Sequence, residues 1–157
     1  MSALLTVEKL SVHFPTSSGR VAAVQQISWH IGAGEVVALV GESGSGKSMT
    51  ALALLDLLPR HAIRQVDRID YAGRPIHQLD APGMEQLRGR EIAMIFQEPM
   101  TALNPLHTIG KQLTEPLLWH RLLRNQPAIL QQAVLELLER TGLQPAERYP
   151  RAYPHQL

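Results

Sequence analysis

The chain has no cysteine among its 157 residues. That excludes a thiol nucleophile, cysteine-ligated zinc and iron–sulfur chemistry, and it fits a reducing compartment. Aromatic residues are scarce, at 4%. Charge of one sign is lacking as well: 15 basic residues face 14 acidic ones, for a net +1. No global basic field is present to hold nucleic acid. Long apolar runs are missing too. A stretch such as Val36 to Val40 is far below the ~20 residues of a membrane-spanning helix. The opening MSALLTVEKL has no basic region, and Glu8 interrupts its apolar residues, so no secretion signal is read. Hydrophobic residues make up 45%. Collagenous, disordered and disulfide-framework compositions are excluded. A length near 150 suggests one domain, and the first expectation is a soluble intracellular α/β domain.

Residues 4–14 and 20–31 read as strands. Leu5 and Val7, then Leu10, Val12 and Phe14, keep period two within each half, and Ile27, Trp29 and Ile31 share a face. Pro15 to Gly19 is a turn cluster. Glu35 to Val40 is a short apolar run of the kind found in buried parallel strands, and Ile92 to Phe96 is a second candidate. Between them a helical run extends from Ser48 to Leu58, stopped by Pro59. Its apolar positions nearly encircle it, as in a helix packed against a sheet. Ile69 to Tyr71 with Ala72-Gly73 suggests a strand and turn. Arg60, Arg64 and Arg68 stand four apart, as either a solvated face or a phosphate-binding stripe. From Asn104 onward the pattern is helical. Ile109, Leu113, Leu117, Leu122 and Leu123 form a broken stripe with Pro116 as a kink or start. Ala128 to Thr141 is the cleanest helix, with Gly142 as its cap.

Gly41-Glu42-Ser43-Gly44-Ser45-Gly46-Lys47-Ser48 matches G-x-x-x-x-G-K-[ST], with an apolar run before it and a helix after it. Glycines let successive N–H groups curl into an anion nest, and the following helix aims its positive end at the same point. Lys47 is a compact cation able to reach β- and γ-phosphates, and the Ser48 hydroxyl suits Mg²⁺. The same glycines fail other motifs. No third glycine or alanine completes a dinucleotide fingerprint, and no glycine stands where a nucleophile elbow needs one. The seven histidines are scattered without metal-ligand spacing. Phe14 either joins the core or offers an aromatic face to adenine. Gln97, at the carboxyl end of the second apolar run, either is polar surface or offers its carbonyl to Mg²⁺ or to an attacking water.

Taken together, these residues resemble the ATP-binding subunits of ABC transporters. GESGSGKS resembles their Walker A motif. Ile95 to Pro105 (IFQEPMTALNP) resembles their Q-loop, with Gln97 the loop glutamine. Phe14 sits where the family has its adenine-stacking aromatic. AYPHQL resembles the run into the signature motif, with Leu157 its first residue. The wording of Gln97 to Pro105 and of Tyr153 to Leu157 is similar to the oligopeptide, dipeptide and nickel importer branch. Met49 replaces a frequent threonine, but its backbone N–H remains available to phosphate.

The resemblance implies an α/β P-loop NTPase of ABC type. It would comprise an antiparallel β subdomain, a partial parallel-sheet core and the start of a helical subdomain. A nucleotide-binding core over 1–97 and helical residues over 98–157 are expected. The implied ligands are ATP and Mg²⁺. ATP would contact Phe14 and residues 41–49, and Mg²⁺ would meet Ser48 and Gln97. Lys47 and Gln97 would serve catalysis. The implied partners are transmembrane permease subunits, a second cassette and, indirectly, a substrate-binding protein, with no nucleic acid. The place would be the cytoplasmic side of the inner membrane, held peripherally. The rest of the signature, the Walker B strand, its glutamate and the switch histidine are not among the 157 residues. The expectation is therefore a front portion that is inactive alone and leaves the helix 48–58 and the run 92–96 partly uncovered. Two other functions compete with this reading. A small-molecule kinase fits the length, but the strand leading into its phosphate loop would open near residue 5. A nucleic-acid-acting ABC ATPase fits poorly with the +1 charge.

Overall fold

The computed structural model describes residues 3–98, 102–120 and 126–157. They form two compact units, one through Arg88 and one from Gly89. The first is built on a long hairpin of β1 (Ala3–Thr16) and β2 (Gly19–Gly32), antiparallel along its length. Both strands read from the apolar alternation are present, each slightly longer than expected. The break in alternation between Val7 and Leu10 has a structural cause. Lys9 (φ 50°) and Gln26 (φ 46°) are bulge residues, and the register shifts on either side of Leu10. Each bulge amide is held from across the hairpin. Lys9 N donates to Ser28 Oγ at 2.8 Å and Gln26 N to Ser11 Oγ at 2.9 Å. Bulge amides otherwise lose their ladder partner, so the two serines complete the hydrogen bonding.

The far edge of β1 carries two shorter strands. β3 (Ile63–Gln65) pairs with Ser11–His13, and β4 (Arg68–Tyr71) pairs with Leu5–Glu8, both antiparallel. Ala72 (φ 48°) and Gly73 (φ 77°) make the two-residue turn that favours hairpins, leading into β5 (Arg74–Pro75). Val7, Leu10, Val12 and Ile69 are essentially sealed from solvent. At about 25 cal/mol per Å² of apolar area, these residues anchor the unit. Arg68 lies across Asp70, with Nε and Nη2 donating to Oδ2 at 2.8 and 2.5 Å. That hydrogen bond, together with the guanidinium charge, holds the Asp70 carboxyl below its usual range.

Helix α1 (Lys47–Leu54) packs on this sheet. α2 (Ala81–Leu87) starts at Asp80, whose Oδ1 accepts from Gly83 N at 2.9 Å, and buries Met84 and Leu87. In the second unit, α3 (Ile109–Trp119) and α4 (Pro127–Arg140) close a small core of Ile109, Val134, Leu138 and Ala146. Gly110 allows the approach of Pro150, whose carbonyl oxygen would lie 2.7 Å from any added Cβ. α4 ends in a Schellman motif: Gly142 (φ 80°) donates to Glu139 O and Leu143 N to Leu138 O. Pro116 lies inside α3 rather than at its start.

Several local expectations are corrected. Neither Glu35–Val40 nor Ile92–Phe96 forms a strand ladder. Val36, Val40 and Ile95 are 96, 85 and 93% exposed. A parallel strand needs hydrogen-bonding neighbours, and the described residues form only antiparallel pairs. The fold class stands, with its parallel core represented by unpaired runs. α1 ends at Leu54, not Leu58. Asp56 turns to φ 53°, while Arg64 Nη1 donates to Ala53 O and Arg88 donates to the carbonyls of Leu55 and Asp56. Two arginines at a helix C-terminus suit its dipole. The helix buries only Thr50 and Ala53, because the sheet covers one side of it. Arg60, Arg64 and Arg68 share no helical face. Arg64 caps α1, and Arg68 pairs with Asp70 and Glu8. Leu122, Leu123 and residues 99–101 of the Q-loop lie outside the described residues.

Candidate nucleotide site

The glycine-rich loop runs from Gly41 into the first turn of α1. Gly44 (φ 82°) and Gly46 (φ 89°) take a backbone conformation that residues with a Cβ adopt at a cost. At Gly46 the cost would be doubled. A Cβ there would lie 2.3 Å from the carbonyl oxygen of Ala23 and 3.1 Å from Val24 Cγ2 on β2. Ala23 is itself the extra residue of a bulge, because Val12 pairs with Val24 while His13 pairs with Ala22. The strand bulge and the loop glycine therefore fit one another. Gly41 is tight for a different reason: a Cβ would meet Ser45 Oγ at 2.6 Å.

Lys47 folds back over the loop. Its Nζ donates to the carbonyls of Gly41 and Glu42, both at 2.7 Å, and lies 3.3 Å from Ser45 Oγ. Ser45 N donates to Glu42 O and Thr50 N to Gly46 O. Gly46 is the N-cap of α1 and offers no side chain to its first amides, and the first turn holds no acid. Lys47, Ser48 and Met49 thus open a helix whose positive end is not neutralised from within, the electrostatic setting of an anion site. Ser48 is exposed and Met49 half-buried.

Phe14 lies in the same unit. It pairs with Val21 on β2, two to three residues from the Ala23–Val24 contact of Gly46, or about 7–10 Å at the strand rise. Phe14 and Val12 share a face of β1 by alternation, and Val12 is opposite Val24, whose side chain approaches Gly46. Phe14 is therefore on the loop's side of the sheet, half-buried. Its ring meets that of His61 at 5.3 Å between centroids, tilted by 55°. Gln97 belongs to the second unit, exposed at a bend after residues 93–96. Sequence reasoning did not single out His61 or Ala23. Strand register alone brings them to Phe14 and Gly46, so no local signal marks them. Among the described residues, no cluster of three histidine or acidic side chains is placed to hold a metal, and no helix is long and apolar enough to cross a membrane.

A family profile described as ABC transporter matches residues 24–157. The chain is 40% identical to the oligopeptide transport ATP-binding protein AppD of Bacillus subtilis, over 100% of the chain and 48% of that protein. It is 45% identical to the peptidoglycan transport ATP-binding protein YejF of Agrobacterium fabrum, over 98% of the chain and 28% of that protein. It is 40% identical to the dipeptide transport ATP-binding protein DppD of Escherichia coli, over 99% and 47%. The chain thus spans about half the length, or less, of these relatives. Among solved structures, the dimeric bacterial ABC transporter cassette MJ0796 superposes with a TM-score of 0.76 at 22% identity, over 98% of the chain and 62% of that structure. The same cassette bound to ADP and phosphate gives 0.70. With the phosphate loop seated on an antiparallel hairpin and a matching profile over most of its length, this chain belongs to the ABC transporter family.

Proposed function

We propose that this chain binds ATP through residues 41–49 and serves as the nucleotide-grasping part of a peptide-importer ATPase. The observation that carries the reading is the loop itself. Two left-handed glycines, a cation bridging the loop carbonyls and an uncapped helix start converge on one point. A triphosphate would draw Lys47 Nζ from the Gly41 and Glu42 carbonyls onto its own oxygens. That exchange replaces two neutral acceptors with charged ones, which bind roughly twice as strongly. The loop amides would cradle the phosphates, and Phe14 would stack on adenine. The Ser48 hydroxyl is a hard oxygen donor of the kind Mg²⁺ takes, and Gln97, in the second unit, carries another. An ion held at Ser48 would supply charge neutralisation between the phosphates.

The nucleotide-binding core covers 1–97 and the helical part 98–157. The relatives named for oligopeptide and dipeptide transport support a peptide-type cargo. Permease subunits, reached through Gln97 to Pro105, and a second cassette are the proposed partners, and the peripheral cytoplasmic face of the membrane is the proposed place. The 157 residues carry no later apolar strand ending in Asp-Glu, the pattern that the resemblance implies for the general base, and are proposed not to turn ATP over alone. Titration with ATP and Mg²⁺ tests the reading. Binding is expected, falling at least tenfold in Lys47→Ala, with no phosphate release. Unchanged binding in Lys47→Ala would refute the loop's role. Steady turnover that disappears in the same variant would refute the proposed inactivity.

A further inference from the structure

We infer that His61 is a positioning residue for the purine base: it packs on Phe14 and fixes the ring face on which adenine stacks. The inference rests on the reading of Phe14 given above and adds a second residue to it. β3 runs antiparallel to β1, with Ile63 opposite His13, so the residues just before β3 arrive beside Phe14 and Pro15. A turn closed by Ala62 N donating to Pro59 O at 2.8 Å delivers His61 there. The two rings meet at 5.3 Å and 55°, inside the range of favourable tilted aromatic pairs. Phe14 is half-buried and His61 exposed, so the histidine covers one aspect of the phenyl ring without enclosing it.

The ring needs such support. Phe14 is near the turn end of the hairpin, beyond the sealed residues Leu10 and Val12, and its neighbours Pro15 and Thr16 are exposed. A side chain at such a place rotates freely unless something packs on it, and stacking on a mobile ring forfeits affinity to ordering. His61 removes that freedom before the base arrives. Lys47 and the loop act on the phosphates and are indifferent to the base. The two halves of the ligand are thus read by different residues, and His61 belongs to the base half only.

The test uses the full chain and two probes, ATP and inorganic tripolyphosphate, which lacks the base. Phe14→Ala is expected to weaken ATP about tenfold, in the range of aromatic–base stacking. His61→Ala is expected to weaken ATP about three- to tenfold, the share of that stacking energy lost to a mobile ring. Both variants should bind tripolyphosphate as the unsubstituted chain does. His61→Phe, which keeps a ring there, should restore ATP binding. Melting followed by circular dichroism checks that each variant is folded, and the tripolyphosphate titration checks it again. If His61→Ala leaves ATP binding intact while Phe14→Ala weakens it, the inference is wrong and the Phe14 reading stands. Equal losses for both probes in His61→Ala, or no rescue by phenylalanine, also overturn it. If Phe14→Ala leaves ATP unaffected, the adenine-stacking reading itself fails.

Discussion

Two regions of this chain are equally suited to strand formation and meet opposite fates. The hairpin of β1 and β2 seals Val7, Leu10 and Val12 from solvent and repairs its own bulges with Ser11 and Ser28. The runs at 36–40 and 92–96 are as rich in valine and isoleucine, yet Val36, Val40 and Ile95 stay 85–96% exposed. Composition does not separate the two regions. The hairpin differs because its partner strand follows within two residues, so the ladder closes locally at small entropic cost. A parallel strand has no such neighbour in sequence and depends on distant segments. β propensity is a fit to a pleated, half-covered surface, and without that surface it yields no strand.

Substitutions in the two regions should respond accordingly. Leu10→Ala removes a fully buried side chain and is expected to lower unfolding stability by about 2–5 kcal/mol, read from a denaturant midpoint. A loss under 1 kcal/mol would mean that the hairpin is not the anchor. Ser11→Ala removes a buried hydroxyl and leaves the part-buried Gln26 amide without its acceptor, so about 1 kcal/mol should be lost. A neutral result would show water taking over. Asp70→Asn tests β4 of the same sheet. The carboxyl is held below its usual range, first by the hydrogen bond from Arg68. The native state therefore releases this proton more readily than the unfolded one. The contribution is present above the ordinary carboxylate range near pH 4 and fades as pH falls through the lowered value. Acid unfolding of Asp70→Asn should show a shallower pH dependence, and an identical pH profile would refute the pairing in solution. The smallest effect belongs to the other region. Val36→Lys and Ile95→Lys should change stability by within about 0.5 kcal/mol while raising solubility, measured by light scattering, because each breaks an exposed apolar run. A large destabilisation there would show that these runs are covered after all.

Much of the architecture was legible from local signals. Alternation marked β1 and β2, a helical stripe and glycine marked α4, and the adjacent positive-φ positions at Ala72 and Gly73 followed a recognisable turn. The phosphate loop was legible because its chemistry dictates glycine, lysine and serine at fixed spacing. The end of α1 was not. It is set by Arg64 and Arg88, which reach its carbonyls from elsewhere in the unit, and Pro59 suggested a later stop. The spacing of Arg60, Arg64 and Arg68 fitted either a solvated face or a phosphate stripe; tertiary structure puts Arg64 and Arg68 on separate strands, the first reaching the end of α1 and the second Asp70 and Glu8.

The sequence by itself determined the loop's composition, glycines with a lysine and a serine at the spacing that suits phosphate, on a chain without thiols and without a basic field. Only the tertiary structure decided what that loop rests on. Gly46 must be glycine not just for its φ but because the bulged carbonyl of Ala23 occupies the space of a side chain. Phe14 has His61 beside it because two antiparallel strands share a register. Such contacts join residues far apart in the chain, and register and close packing create them, whereas local pattern records only what each residue prefers.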